Sequence, residues 1–338
     1  MEQKMDTAMD DTSSATFPWT RQEAGWYVGK LTQVVEPRGG WATKFVVWLN
    51  TAIVTRLSWQ GVDRFGAAIG WLMYKLRIRR SIAMTNLDIV YGNDKTAAEK
   101  EAIYKASLLN LGRHVLNYIV IPRMDDSFWD ESFEFENEEL LRDAYNRGKG
   151  VIFIGGHIGV WEIAAGRVGI AGYPISIVAK RIANPVVEKA IVQSRLKMNL
   201  GSVPHRDSMQ RVMEGLRRGE GIIMAIDQNM KRSQGVMIDW LGHPASTVRS
   251  NAWVARETGA PVVAGYACRV APGKFKLVVT EEVPWEAHPE DPDMELLINT
   301  RNQAKAVERI IYGNPEIWHW IHRRWKVQAE GVPSPYNN

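Results

Sequence analysis

A chain of 338 residues, 45% of them apolar, is long enough to bury a sizeable core, which excludes general disorder. The formal net charge of +4 and a pI near 9.0 favour anionic partners: phospholipid surfaces, phosphorylated lipids, acidic carrier proteins or nucleic acid. A single cysteine, Cys268, excludes an internal disulfide framework and fits a reducing compartment; behind the apolar run 261–267 it reads as a small buried hydrophobe in preference to a reactive thiol.

Residues 1–40 read as a loose leader. It opens on "MEQKMDTAMDDTSSAT", with no secretory pattern, and closes on the breaker "EPRGG". From Trp41 to Arg80 the apolar positions Phe45, Trp48, Ile53, Leu57, Phe65, Ile69, Leu72 and Leu76 predict amphipathic helix, ending in the basic run "KLRIRR". An apolar face, boundary aromatics and a cationic end suit a helix lying in a membrane surface; a helical hairpin packed on its own domain is the plainer alternative. The apolar stretch Phe45–Val54 is too short to span a bilayer.

A further helix is predicted over 96–122, then an acidic stretch at 125–139, part loop and part strand. Beyond it, helices alternate with short apolar runs: a helix in "EELLRDAYNRG", strands at 150–154 and 175–180, helices at 185–198 and 208–218, and a strand at 221–227. A helix at 250–258 leads to strand "APVVAGYACRV", which pairs with "KFKLVVT" through the turn at Pro272–Gly273, and a last helix covers 294–312. The alternation predicts an α/β fold with one central sheet flanked by helices. The expected organisation is a leader 1–40, a helical membrane-associated region 41–125, an α/β core 126–333 and a tail 334–338.

The most informative stretch is "VIFIGGHIGVWEIAAG", 151–166. Residues five apart on a straight helix differ by about 140°, so His157 and Glu162 meet only if the chain bends between them. Gly155, Gly156 and Gly159 permit that bend. It would set His157 at the carboxyl edge of the sheet and Glu162 in the first helical turn, where a carboxylate is favoured. A carboxylate bound to one imidazole nitrogen fixes the tautomer and frees the other as a general base. The plainer reading is a capping carboxylate beside an incidental histidine.

Asp227 and Gln228, in "MAIDQN", close a strand at the same edge, where ligands gather in open α/β sheets. Arg195 and Lys197 in "QSRLKMN" and Arg206 in "VPHRDS" offer charge for phosphates, an oxyanion or a phosphopantetheine arm, or else form a solvated basic face. The segment "PEIWHWIHRRWK", 315–326, mixes three tryptophans with Arg323, Arg324 and Lys326, which suits a polar–apolar boundary or phosphate contacts. No nucleic-acid motif appears, so nucleic acid is not an expected partner. With no CxxC, HExxH or phosphate-loop motif, neither a metal site nor a cofactor is expected.

Taken in order, these blocks resemble the bacterial late acyltransferases of lipid A biosynthesis, the lauroyl/myristoyl acyltransferase family. "GGHIGVWEIA" resembles its H-x4-E block, "AKRIANPVVEKAI" its R-x-x-x-N-P segment, and "SRLKMN" its arginine segment. "LRRGEGIIMAIDQN" and "PEIWHWIHRRWK" are similar to its later blocks, although Ile226 stands where the family often has proline. The resemblance implies a glycerolipid acyltransferase-like fold with a mixed sheet, and His157 as base with Glu162 as its orienting partner. Arg195 and Asp227 would be further catalytic residues, with Arg181, Asn184, Lys197, Arg206, Gln228, Arg323 and Arg324 at the substrates. It also implies an acyl carrier protein as donor, a lipid A precursor as acceptor, and the cytoplasmic face of the inner membrane as the place of work, with no metal.

Overall fold

The computed structural model describes residues 52, 54–205 and 208–336. The expected leader, the start of the 41–80 helix and Arg206 lie outside the described residues. Ser58 caps α1 (Trp59–Lys75), its hydroxyl accepting from Gly61 N at 3.1 Å. The expected helix does not run unbroken to Arg80. Arg77 and Arg79 adopt left-handed φ values of 53° and 51°, which turn the chain into α2 (Arg80–Tyr91). Thr96 and Glu99 form a capping box at the start of α3 (Ala97–Val120). Helices α1 and α3 cross at Gly66, Gly70 and Gly112. A Cβ on Gly66 would lie 2.6 Å from Arg113 Cα, so only glycine lets the two backbones touch there.

The acidic stretch folds as α4 (Asp126–Glu131) and β1 (Phe133–Glu136), followed by α5 (Glu138–Tyr145). Then β2 (Val151–Gly155) leads to α6 (Trp161–Ile170), β3 (Ile175–Ala179) to α7 (Pro185–Lys197), and β4 (Leu200–Pro204) to α8 (Ser208–Arg217). After β5 (Gly221–Ala225) comes a hairpin of β6 (Gly235–Trp240) and β7 (His243–Val248), then α9 (Ser250–Thr258). The long hairpin of β8 (Val262–Ala271) and β9 (Lys274–Val283) precedes α10 (Pro292–Gly313). Strand β4 and the β6–β7 hairpin are not anticipated by the sequence pattern. "LGSVP" is short and nearly featureless, and the hairpin alternates too weakly to separate from loop.

Seven strands form one sheet in the order β1-β9-β8-β2-β5-β3-β4. Strands β8, β2, β5, β3 and β4 run parallel; β9 and β1 run the other way, making the sheet mixed. Alternation decides the two faces. Ile152, Ile154, Ile222 and Met224 pack with α8, α9 and α10, whereas Val151, Ile175 and Val263 pack with α5 and α6. Strand β5 returns between β2 and β3 after the chain has moved outward to β4. This reversal opens a crevice at the carboxyl ends of the central strands. Among the described residues, no helix is long and apolar enough to cross a membrane.

Candidate active site

The segment after β2 is held on two sides. Gly159 N donates to Ile317 O at 2.8 Å and Val160 N to Ala267 O at 2.9 Å. Ile158 bridges Trp318 in antiparallel fashion. Gly159 takes a φ of +60°, and a Cβ there would run into Ala267 O, so the bend requires glycine. Helix α6 begins only at Trp161, and His157 therefore stands at the sheet edge, off the helix.

Asp227 arrives beside it from the end of β5. His157 Nδ1 lies 3.0 Å from Asp227 Oδ1, and the His157 backbone N–H donates to Oδ2 at 2.9 Å. Trp318 Nε1 donates to the same Oδ2 at 3.0 Å. The Asp227 side chain is 3% exposed and that of His157 31%, so the carboxylate is buried while the imidazole reaches the crevice. Gly156 makes room for this: a Cβ there would stand 2.7 Å from Asp227 Cγ.

Electrostatics follow from the geometry. Burial alone would lower the His157 pKa; the Asp227 charge, its hydrogen bond and the charge of Glu162 outweigh it and hold the imidazole above its ordinary value. Burial works to raise Asp227, but His157, its backbone N–H and the Trp318 indole keep the carboxyl well below the usual range. With Nδ1–H turned to Asp227, Nε2 is the unprotonated nitrogen, and the Gln228 amide nitrogen lies 3.2 Å from both ring nitrogens.

The carboxylate bound to His157 is therefore Asp227, where the sequence reading puts Glu162. Glu162 does sit in the first turn of α6, but it is buried and ion-paired with Arg195 through Nε. Arg195 Nη1 donates to Ser202 Oγ on β4 at 3.1 Å. The bend sends Glu162 down beneath the helix toward α7, while the end of β5 brings Asp227 up to the imidazole.

An aromatic layer closes one side. Trp161 meets His157 edge-on at 5.2 Å, and His114 of α3 packs on Trp161 at 3.7 Å. His319 lies 6.2 Å from His157, its neighbour across the Ile158–Trp318 bridge. Burial pushes His114 down to about 3 and His319 to about 4, so both are neutral around pH 7.

The crevice is a cavity of about 1330 Å³ lined by His157, Trp161, Glu162, Arg195 and Gln228. Its walls are mainly apolar, with Phe153, Ile177, Ile223, Met209 and Trp253 among them. The remaining expected substrate residues are placed differently. Asn184 caps α7, accepting from Val186 N and Val187 N at 3.0 and 3.3 Å. Arg181 and Lys197 are exposed and do not line the cavity. Arg323 is exposed above the Tyr336 ring. Arg324 is a correction: it is fully buried, donates to Ser246 O at 2.8 Å and to Thr247 Oγ1, and stacks on Trp240. Its guanidinium pins the 315–326 segment to β7 and does not reach the cavity.

Sequence reasoning misses the roles of Trp161 and Trp318. Their ring-rich segments are visible, but the indole bond from Trp318 spans 91 positions and belongs to tertiary structure.

The family model for bacterial lipid A biosynthesis acyltransferases matches residues 32–327. The chain is 25% identical over 302 residues to the lipid A biosynthesis lauroyltransferase of Escherichia coli K12, covering 88% of this chain and 94% of that protein. It is 25% identical over 268 residues to the lipid A biosynthesis palmitoleoyltransferase of the same strain, covering 77% and 83%. A phosphatidylinositol mannoside acyltransferase of Mycolicibacterium smegmatis is 26% identical over 180 residues, 52% of this chain and 58% of that protein. With most of its length matched and a histidine–carboxylate pair at the mouth of an apolar cavity, the chain belongs to the bacterial lipid A biosynthesis acyltransferase family and is an acyltransferase.

Proposed function

We propose that the protein moves a fatty acyl chain from an acyl carrier protein thioester to a hydroxyl of a lipid A precursor, with His157 as general base. The observation that carries this is the His157–Asp227 pair, its carboxylate buried and its imidazole part-exposed in the lining of a large apolar cavity. The acceptor follows from the names of the relatives that cover most of the chain.

In this reading the acceptor hydroxyl takes the position now facing Gln228. His157 Nε2 removes its proton as the oxygen attacks the thioester carbon. Asp227 stabilises the imidazolium that forms and keeps its Nδ1 proton in place. The tetrahedral oxyanion collapses, the carbon–sulfur bond breaks, and the imidazolium returns its proton to the departing sulfur. Direct transfer of this kind uses no covalent enzyme intermediate. Gln228, whose amide nitrogen lies 3.2 Å from His157 Nε2, supplies a side-chain N–H donor for the oxyanion in this scheme. Arg195, already bonded to Glu162 and Ser202, braces the cavity floor in this scheme.

The work is placed at a membrane surface. Phe65, Trp71, Leu72 and Leu76 of α1 and its end are exposed beside Lys75, Arg77 and Arg79, an apolar row with cations that suits anionic lipid. The cytoplasmic face of the inner membrane, where an acyl carrier protein can dock, is the matching location. A second reading, with a glycosylated phosphoinositide as acceptor, has the Mycolicibacterium relative in its favour.

The test is incubation of the purified chain with acyl carrier thioester and each acceptor, followed by mass spectrometry. A lipid A precursor gaining one acyl chain, with no gain for a His157→Ala variant that folds, is the expected result. Gain on the phosphoinositide alone favours the second reading. Transfer by His157→Ala at the wild-type rate removes the base assignment.

A further inference from the structure

Among the described residues, seven acidic or basic side chains line the cavity, besides the Tyr266 phenol: His157, Glu162, Lys180, Arg195, His205, Arg249 and Asp293. Most have a local counterpart. His157 faces Asp227, Glu162 holds Arg195, and Arg249 shares a smaller adjoining cavity with Asp291 and Asp293. Lys180 and His205 differ. Both are exposed, and among the described residues neither side chain has a carboxylate partner.

Their neighbourhood is fixed by the sheet. Ala179 of β3 pairs with Pro204 of β4, and His205 N donates to Ala179 O at 3.0 Å. Lys180 and His205 are therefore side by side, one step past the carboxyl ends of two adjacent parallel strands. Strand order carries the chain edge from β2 through β5 to β3 and β4. At about 4.8 Å per strand, Lys180 stands roughly 10 Å and His205 roughly 14 Å from the strand that delivers His157.

We propose that Lys180 and His205 form a phosphate-ester subsite of the cavity, distant from the bond that is made. A lysine ammonium supplies a point charge for phosphate, and an imidazole supplies an N–H donor beside it. Binding energy from such a remote group helps to position the reacting end of a substrate. This rests on the acyl-transfer reading, in which either the phosphopantetheine arm of the donor or a phosphate of the lipid acceptor provides the ester.

Calorimetric binding to the full chain tests it with four probes: phosphopantetheine, pantetheine, dihexanoyl phosphatidic acid and dihexanoylglycerol. The expected result is a preference of about tenfold or more for one phosphorylated probe over its phosphate-free counterpart. The Lys180→Ala/His205→Ala variant should lose that preference, with its circular dichroism unchanged because both positions are exposed. A preference confined to phosphopantetheine supports the subsite and assigns it to the donor; one confined to phosphatidic acid supports it and assigns it to the acceptor. No preference in the wild type, or a preference kept by the variant, overturns the subsite. Acyl transfer is measured on the same samples. A retained binding preference without transfer sinks the proposed activity and leaves the subsite standing.

Discussion

His157 and Asp227, 70 positions apart in sequence, share two hydrogen bonds: imidazole Nδ1 to Oδ1 at 3.0 Å and backbone N–H to Oδ2 at 2.9 Å. The carboxylate thus holds both the ring and the loop that carries it. Replacing Asp227 by asparagine keeps the shape and removes the charge, and the amide can then present its NH2 to Nδ1 and stabilise the wrong tautomer. Acyl-transfer turnover should fall roughly 10³–10⁴-fold, by analogy with the same change in a serine protease triad, with little change in KM. Combining Asp227→Asn with His157→Ala should cost little beyond His157→Ala alone, since the two act as a unit. Initial rates on the three variants check both statements.

The pH profile carries a sign. Burial opposes protonation of His157, but Asp227 and Glu162 outweigh it and raise its pKa. A base must be unprotonated, so the acid limb of kcat/KM should have its midpoint above the ordinary imidazole value of about 6.5. Asp227→Asn should move it down. For stability, the raised His157 pKa contributes below the unfolded value, and that contribution is lost as pH rises through the folded one. The depressed Asp227 pKa contributes above about 3.9, and its share is lost as pH falls toward the folded value. A wild-type limb at or below 6.5 would contradict the pairing.

Trp318→Phe removes the indole donor from the buried Asp227 carboxylate and leaves the ring packing largely intact. Oδ2 keeps the His157 backbone N–H, so the loss is that of one hydrogen bond to a charged group, about 1.5–3 kcal/mol, and both chemical denaturation and turnover should register the change. The loss of a donor to the ionised form also raises the Asp227 pKa, narrowing the difference that keeps the proton on His157. Wild-type stability in Trp318→Phe would show that the bond contributes nothing.

Glu162 and Arg195 should behave unlike the His157–Asp227 pair. Both are largely buried, so truncating either to alanine strands its partner and should cost about 3–5 kcal/mol of stability. Glu162→Gln should be milder in stability and should lower the acid limb less than Asp227→Asn, because Asp227 is the stronger influence on His157. Denaturant titrations and pH profiles on the same variants separate a brace from an orienting group.

Gly156→Ala places a methyl group within 2.7 Å of Asp227 Cγ. The carboxylate must shift away from His157, and activity should fall by at least tenfold while the far-UV circular dichroism stays native. Full activity would show that the pocket around Asp227 can yield.

Much of this was readable from the chain because the strands at 151–155 and 221–225 and the glycines after the first are local signals. They placed His157 and Asp227 at one sheet edge. What sequence could not supply was which carboxylate faces the ring. Glu162 is five positions away and Asp227 seventy, yet the strand order sets β5 directly beside β2. Proximity in sequence favoured the wrong partner. Arg324 misled for a similar reason: an arginine among tryptophans reads as a boundary or phosphate contact until tertiary packing buries it. The short β4 and the β6–β7 hairpin escaped because their alternation is weak and their partners are distant.

The indole that locks Asp227 comes from Trp318, and its segment is fastened in turn by Asn86, whose Nδ2 donates to Trp320 O and His322 O at 2.6 and 2.7 Å. A side chain of α2 thus reaches Asp227 at second hand: Asn86 holds the backbone at Trp320 and His322, and the same segment carries the indole that donates to the carboxylate.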